Sequence, residues 1–92
     1  MTADIGKEDD APHWKEPLKI HELDMFSIYD HPLDYPDKWA VRRWIISTKG
    51  GEKSAELGLA DSLEEARSLV PQGKVRVPRF AEDDPKIVEV WL

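Results

Sequence analysis

"KWAVRRWIISTKGGEKSAELGLA", residues 38–60, decides the fold. Its first half is rich in tryptophan, valine and isoleucine, which favour strands. Its second half alternates Ala55, Leu57 and Leu59 with Ser54, Glu56 and Gly58, the period of two of a strand with one buried face. Between them, Gly50 and Gly51 offer the positive φ values of a tight two-residue turn. The segment reads as a hairpin. With the turn on the two glycines, Trp44 lies opposite Leu57 and Ile46 opposite Ala55. One face then carries Ala40, Arg42, Trp44, Ile46, Ala55, Leu57 and Leu59, and is the expected seat of a helix. The other carries Trp39, Val41, Arg43, Ile45 and Glu56. A one-residue slip of register would exchange the faces.

Outward from the hairpin the pattern stays regular. "MFSIYD", residues 25–30, is a short strand ended by an Asp-His-Pro turn. "SLEE" is a capping box, with Ser62 as N-cap and Glu65 three residues on. Leu63, Ala66, Leu69 and Val70 form the apolar stripe of the helix that follows, and Pro71 stops it. "KVRVPRF", residues 74–80, is a strand that Pro78 confines to an edge or an end. "EDDP" makes a turn, and "KIVEVWL" is the final strand. The expected fold is α+β, in the order β-β-β-α-β-β: a small, mainly antiparallel sheet with one helix on one face, over residues 25–92.

One two-turn helix cannot cover both faces of such a sheet. The last strand poses the same problem, with Val88, Val90 and Leu92 pointing one way and Ile87, Glu89 and Trp91 the other. The second face, around Trp39, Val41, Arg43 and Ile45, is more apolar than a solvated sheet face needs to be. It calls for a cover: the segment around Trp14 and Leu18, a second copy of the chain, or a different partner. Residues 1–24 read as an acidic, partly disordered arm. The first twelve are polar and without periodicity, and Pro17 argues against one helix running through the rest.

Composition bounds the function. The chain has 92 residues, 40% of them hydrophobic and 35% charged, which suits one folded domain rather than a disordered chain. It has no cysteine, so disulfides, thiol nucleophiles and thiolate metal sites are excluded. No apolar run approaches the roughly 20 residues of a membrane span, and the start lacks the apolar core of a signal peptide; a cytoplasmic protein is expected. The net charge is −6, and such a field opposes nonspecific binding to nucleic acid or anionic membrane.

The chemistry-bearing residues fall into three groups. Asp30, His31, Asp34 and Asp37 crowd a loop held by Pro32 and Pro36. Together they have nominal metal or acid/base composition, but Asp and Pro are also what turns are made of, and a turn is the better reading. His13, His21 and His31 lack HExxH-like spacing, and no GxSxG, Walker A or GxGxxG pattern occurs. No catalytic residue, metal or cofactor is expected. Arg42, Arg43, Arg76 and Arg79 are candidate contacts to an anion or nucleic acid. Against this, Arg43 has Glu56 or Glu89 as cross-sheet partners. Of the four tryptophans, Trp44 is assigned to the core, and Trp39 and Trp91 to an interface.

The run "YDHPLDYPDKWAVRRW", the "SLEEAR" helix start and the "DDPKIVEVWL" ending resemble small uncharacterised proteins of bacterial and phage genomes, over residues 25–92. That resemblance implies no activity. It implies that residues 1–24 extend a shared domain. The expected function is a non-enzymatic protein-interaction module binding a protein partner or its own copy through Trp39, Val41, Arg43, Ile45 and Trp91. The alternative is a nucleic-acid-associated or phage-related inhibitory protein, using the arginines or acidic mimicry.

Overall fold

A computed structural model describes residues 14–78 and 84–92. Five strands form one antiparallel sheet: β1 (Glu22–Asp30), β2 (Trp39–Ser47), β3 (Glu52–Ala60), β4 (Arg76–Val77) and β5 (Ile87–Trp91). Their spatial order is β3-β2-β1-β5-β4. The helix α1 (Leu63–Ser68) follows β3. The expected α+β order holds, although the fold is mostly sheet. Pro78 directly follows β4, which is an edge strand as the sequence predicts.

The hairpin between β2 and β3 differs from the tight turn expected. Gly50 and Gly51 do have positive φ, at 110° and 91°, but the turn is longer. The Gly50 amide donates to the Ser47 carbonyl at 3.0 Å, and the Ser47 amide to the Gly51 carbonyl at 3.0 Å, so the loop is Thr48-Lys49-Gly50. Trp44 therefore lies opposite Ser54, not Leu57, and Ile46 opposite Glu52. The register then shifts between Arg43 and Trp44, skipping Ala55, and brings Arg43 opposite Glu56 and Arg42 opposite Leu57. Such a bulge returns the rest of a strand to the other face. It is why Glu56 shares a side with Arg43.

On the hairpin the faces keep the two groups read from the sequence, but the helix sits on the other one. On β5 a register shift sets Ile87 opposite Tyr29 and lets Val88 pack against the core, so these two residues exchange the sides expected of them. Val41 pairs with Ile28 and Arg43 with Phe26, so the apolar side chains of β1 and β2 combine on the face first expected to be open. Phe26, Ile28, Val41, Ala60, Ala66 and Trp14 form the core cluster, with Trp39, Leu63, Leu69, Val70, Val88 and Trp91 packed against it. The sequence predicts a helix seat around Ala40, Trp44 and Ile46. It is overturned because β1 contributes Phe26 and Ile28, its largest fully buried side chains, to the opposite side. The helix itself begins as expected. The Ser62 hydroxyl accepts the Glu65 amide at 3.0 Å, satisfying an N–H that the first turn leaves without a helical partner, and the Glu65 carboxylate reaches back to the amide of Asp61, just before the cap, at 2.8 Å.

Trp14 completes this layer. It is 8% exposed, its ring centroid lies 5.2 Å from that of Phe26, and its indole N–H donates to the Leu69 carbonyl at 2.6 Å. The segment from Trp14 thus belongs to the folded unit, and β1 starts at Glu22, three residues before the expected boundary. The disordered tail expected over residues 1–12 lies outside the described residues. Trp14→Ala is expected to cost about 3–5 kcal/mol in urea unfolding. A loss below roughly 1 kcal/mol would show that the arm is not part of the core.

Candidate functional site

All five residues expected to form an interface lie on the face that the chain's own layer covers. Val41 is fully buried, Ile45 is 2% and Arg43 5% exposed, and Trp39 packs half-buried against the core. Trp91, also half-buried, donates its indole N–H to Glu89 at 3.0 Å. The cover considered for this face is the chain's own segment around Trp14, together with α1, although Leu18 remains 41% exposed.

Arg43 is held here by charge. Its Nε donates to Asp24 at 3.0 Å, and its terminal nitrogen to Glu56 at 2.8 Å and to the Glu16 carbonyl at 2.7 Å. The Glu56 carboxylate in turn accepts the Lys15 amide, at 2.7 and 2.8 Å from its two oxygens, and the Glu16 amide at 2.7 Å. Lys74 adds a contact to Asp24 at 2.5 Å. One arginine and one glutamate thereby grip both polar edges of the arm's backbone. Glu89, a fully buried carboxylate, is clasped by Arg67, with Arg76 3.7 Å away.

Among the described residues the candidate arginines are not brought together, since β1 and β5 lie between β2 and β4. Arg42 and Arg43 point to opposite faces, as neighbours on a strand must. Arg43 and Arg76 have carboxylates beside them, and Arg79 lies outside the described residues. The loop is made of turns: Tyr35 N–H bonds the Pro32 carbonyl at 2.9 Å, and Lys38 N–H the Tyr35 carbonyl at 3.1 Å. His31 has a positive φ of 50° and contacts Asp30 at 2.5 Å. Among the described residues no three His, Asp or Glu side chains converge to hold a metal.

The opposite face has no layer over it among the described residues. It carries Leu23, Met25 and Tyr29 from β1, Arg42, Trp44 and Ile46 from β2, and Leu57 and Leu59 from β3. Leu23 is 57% and Leu59 41% exposed. Ser27 and Ala40, small and almost fully buried, sit between the taller groups. Arg42 occupies the middle. Its guanidinium carbon lies 5.8 Å from the Tyr29 ring centroid and 6.0 Å from that of Trp44, within cation–π range, and it donates to the Ser54 hydroxyl at 3.2 Å. Among the described residues no carboxylate forms an ion pair with it. At the loop end the face deepens into a cleft of about 480 Å³ lined by Tyr29, Leu33, Tyr35, Arg42, Pro85 and Lys86, among others.

Trp44, assigned to the core from the sequence, therefore belongs to the open face, while Trp39 and Trp91 belong to the covered one. The Asp24–Lys74 and Arg67–Glu89 pairs were missed. Glu89 inside the otherwise apolar run "IVEVW" was the available signal, since a carboxylate in a two-sided buried strand requires a cation. No family model, curated protein or solved structure matches the chain. Among the described residues, no helix is long and apolar enough to cross a membrane.

The ion-paired carboxylates, two partly buried and one buried, give the fold a pH dependence. Burial alone would raise Asp24 and Glu56. Hydrogen bonds from Lys74 and Arg43 to Asp24, and from the Glu16 and Lys15 amides and Arg43 to Glu56, outweigh it and hold both below their ordinary values. Glu89 is lowered chiefly by its Arg67 hydrogen bond, against the opposing effect of burial. A lowered folded pKa gives stability that is complete above the unfolded value, roughly 4, and is lost as pH falls through the folded value. Urea stability is thus expected to be level between about pH 7 and 5 and to decline below about 4, with a shallower decline in Glu56→Gln. Equal wild-type stability at about pH 7 and 3 would contradict the coupling.

Proposed function

We propose that the chain is a non-enzymatic protein-interaction module that docks, on its open sheet face, a partner segment presenting an Asp or Glu among apolar side chains. The observation that supports this reading is Arg42, set between Tyr29 and Trp44 on an aliphatic surface, without an ion-paired carboxylate among the described residues. Tryptophan, tyrosine and arginine are the residue types that dominate binding energy at interfaces, most of all when flanked by apolar groups that exclude water. An acidic residue of the partner would meet a guanidinium with donors to spare, because Ser54 takes one of its five N–H groups.

The charge pattern argues for this partner over the others. A second copy packed symmetrically about Arg42 would bring two guanidinium groups together. Nucleic acid would meet a chain of net charge −6 whose Arg43 and Arg76 lie against carboxylates, leaving little of the positive groove that single strands require.

The test is selection of a displayed random peptide library on the immobilised protein. Enrichment of peptides with Asp or Glu flanked by aromatic or aliphatic residues is expected. Trp44→Ala, Arg42→Gln and Leu59→Glu should each weaken the selected peptides by about tenfold or more. Peptides that bind these variants as tightly as wild type would refute the docking face. So would a single-stranded oligonucleotide that binds tightly and weakens steeply with salt.

A further inference from the structure

We propose that the cleft at the loop end of the open face is a binding site for a carboxylate carried on an apolar or aromatic body. Its volume, about 480 Å³, is within the range of small-molecule sites. Arg42 supplies a fork of donors at one side and Lys86 a second cation, while Tyr29, Leu33, Tyr35 and Pro85 supply apolar surface. A charged anchor within a mostly apolar lining is the usual composition of a specific small-ligand pocket.

Two acidic residues also line the cleft, Asp34 and Asp84, and their placement decides the sign of its field. Asp84 is engaged by its own turn: its carboxylate accepts the Lys86 amide at 2.8 Å, and its carbonyl accepts the Ile87 amide at 2.9 Å. Asp34 lies exposed within the Pro32–Tyr35 turn. Neither forms an ion pair with Arg42, so the guanidinium is the group that a buried ligand anion meets. Arginine's planar fork matches the two oxygens of a carboxylate, and the Tyr29 ring beside it offers a face on which an aromatic body can lie.

The walls are already joined. The Asp30 amide donates to the Lys86 carbonyl at 2.8 Å, tying the end of β1, from which the 31–38 loop springs, to the turn before β5. Pro32 and Pro36 restrict the loop's backbone further. A ligand therefore enters a cleft whose shape is set in advance, and little of its binding energy is spent on ordering. The proposal shares Arg42 and Tyr29 with the docking reading. Trp44 and Leu59 do not line the cleft.

The experiment is a titration of the isotope-labelled full chain followed by two-dimensional NMR, with N-acetyl-phenylalanine and, separately, N-acetyl-phenylalaninamide. The acid is expected to shift the amides of Tyr29, Leu33, Tyr35, Ala40 and Lys86 in a saturable manner. The amide, and the acid with Arg42→Gln, should bind about tenfold more weakly or worse. Leu59→Glu should leave acid binding unchanged while weakening peptide docking about tenfold or more, which separates failure of the cleft from failure of the docking face. A peptide ending in a phenylalanine carboxylate distinguishes the sources of the same chemistry. Tighter binding than the free acid assigns the cleft to a chain terminus, and weaker binding to a small free acid. Absence of shifts with the acid, or equal binding of acid and amide to the wild type, overturns the proposal.

Discussion

Arg43 is a full positive charge buried in a sheet, and the arrangement of one whole face follows from how that charge is neutralised. A buried ion without partners is several kcal/mol unfavourable, and removing one member of a buried pair typically costs about 3–5 kcal/mol. Here the partners come from three places in the chain: Asp24 on β1, Glu56 on β3 and the Glu16 carbonyl in the arm, with Asp24 shared by a second cation, Lys74 before β4. Glu56 reaches Arg43 because the bulge at Ala55 turns β3 over. The same carboxylate then takes the two backbone amides of the arm. The arm is thus fixed by hydrogen bonds to charged groups at Lys15 and Glu16, and by hydrophobic burial at Trp14, one residue before.

That arrangement commits the chain's covering elements. The arm and α1 both lie on the Val41 side, where Phe26 and Ile28 make the deepest apolar surface. Nothing among the described residues remains for the other side, and its composition shows how it tolerates exposure. Arg42 lies near the rings of Tyr29 and Trp44, and long polar side chains of this kind keep their charged ends in water while shielding apolar groups. Ser27 and Ala40 stay buried beneath such neighbours. The surface is stable in solvent and still rich in the groups that bind partners. The docking reading grows from this division between one saturated face and one uncovered face.

Element type and order were legible in the sequence, because strand alternation, the Ser62 cap and the paired glycines are local signals. The two groups of hairpin residues that share faces were legible too, and so was Glu56 as one of two candidate partners of Arg43, whereas the bulge that reverses Ile87 and Val88 on β5 was not. Which group faces inward was not. It depends on β1 pairing with β2 so that Ile28 meets Val41, a contact between segments whose register the hairpin alone does not specify. The four-residue span from Ser47 to Gly50 and the bulge at Ala55 offset each other in parity. The faces therefore kept their membership while every cross-strand pair changed. Trp44 was misplaced for the same reason: a tryptophan on a strongly apolar strand looks like core until the second strand shows where the core lies.

The central claim is that the arm and the helix share one face and leave Trp44 on the other. Nuclear Overhauser contacts in the full chain test it most directly. Contacts from the Trp14 indole to the Phe26 ring and to the Ala66 methyl, with none from Ala66 to Trp44 or Ile46, are the expected result. Contacts between Ala66 and Trp44 or Ile46 would place the helix on the opposite face and contradict the assignment of the open surface.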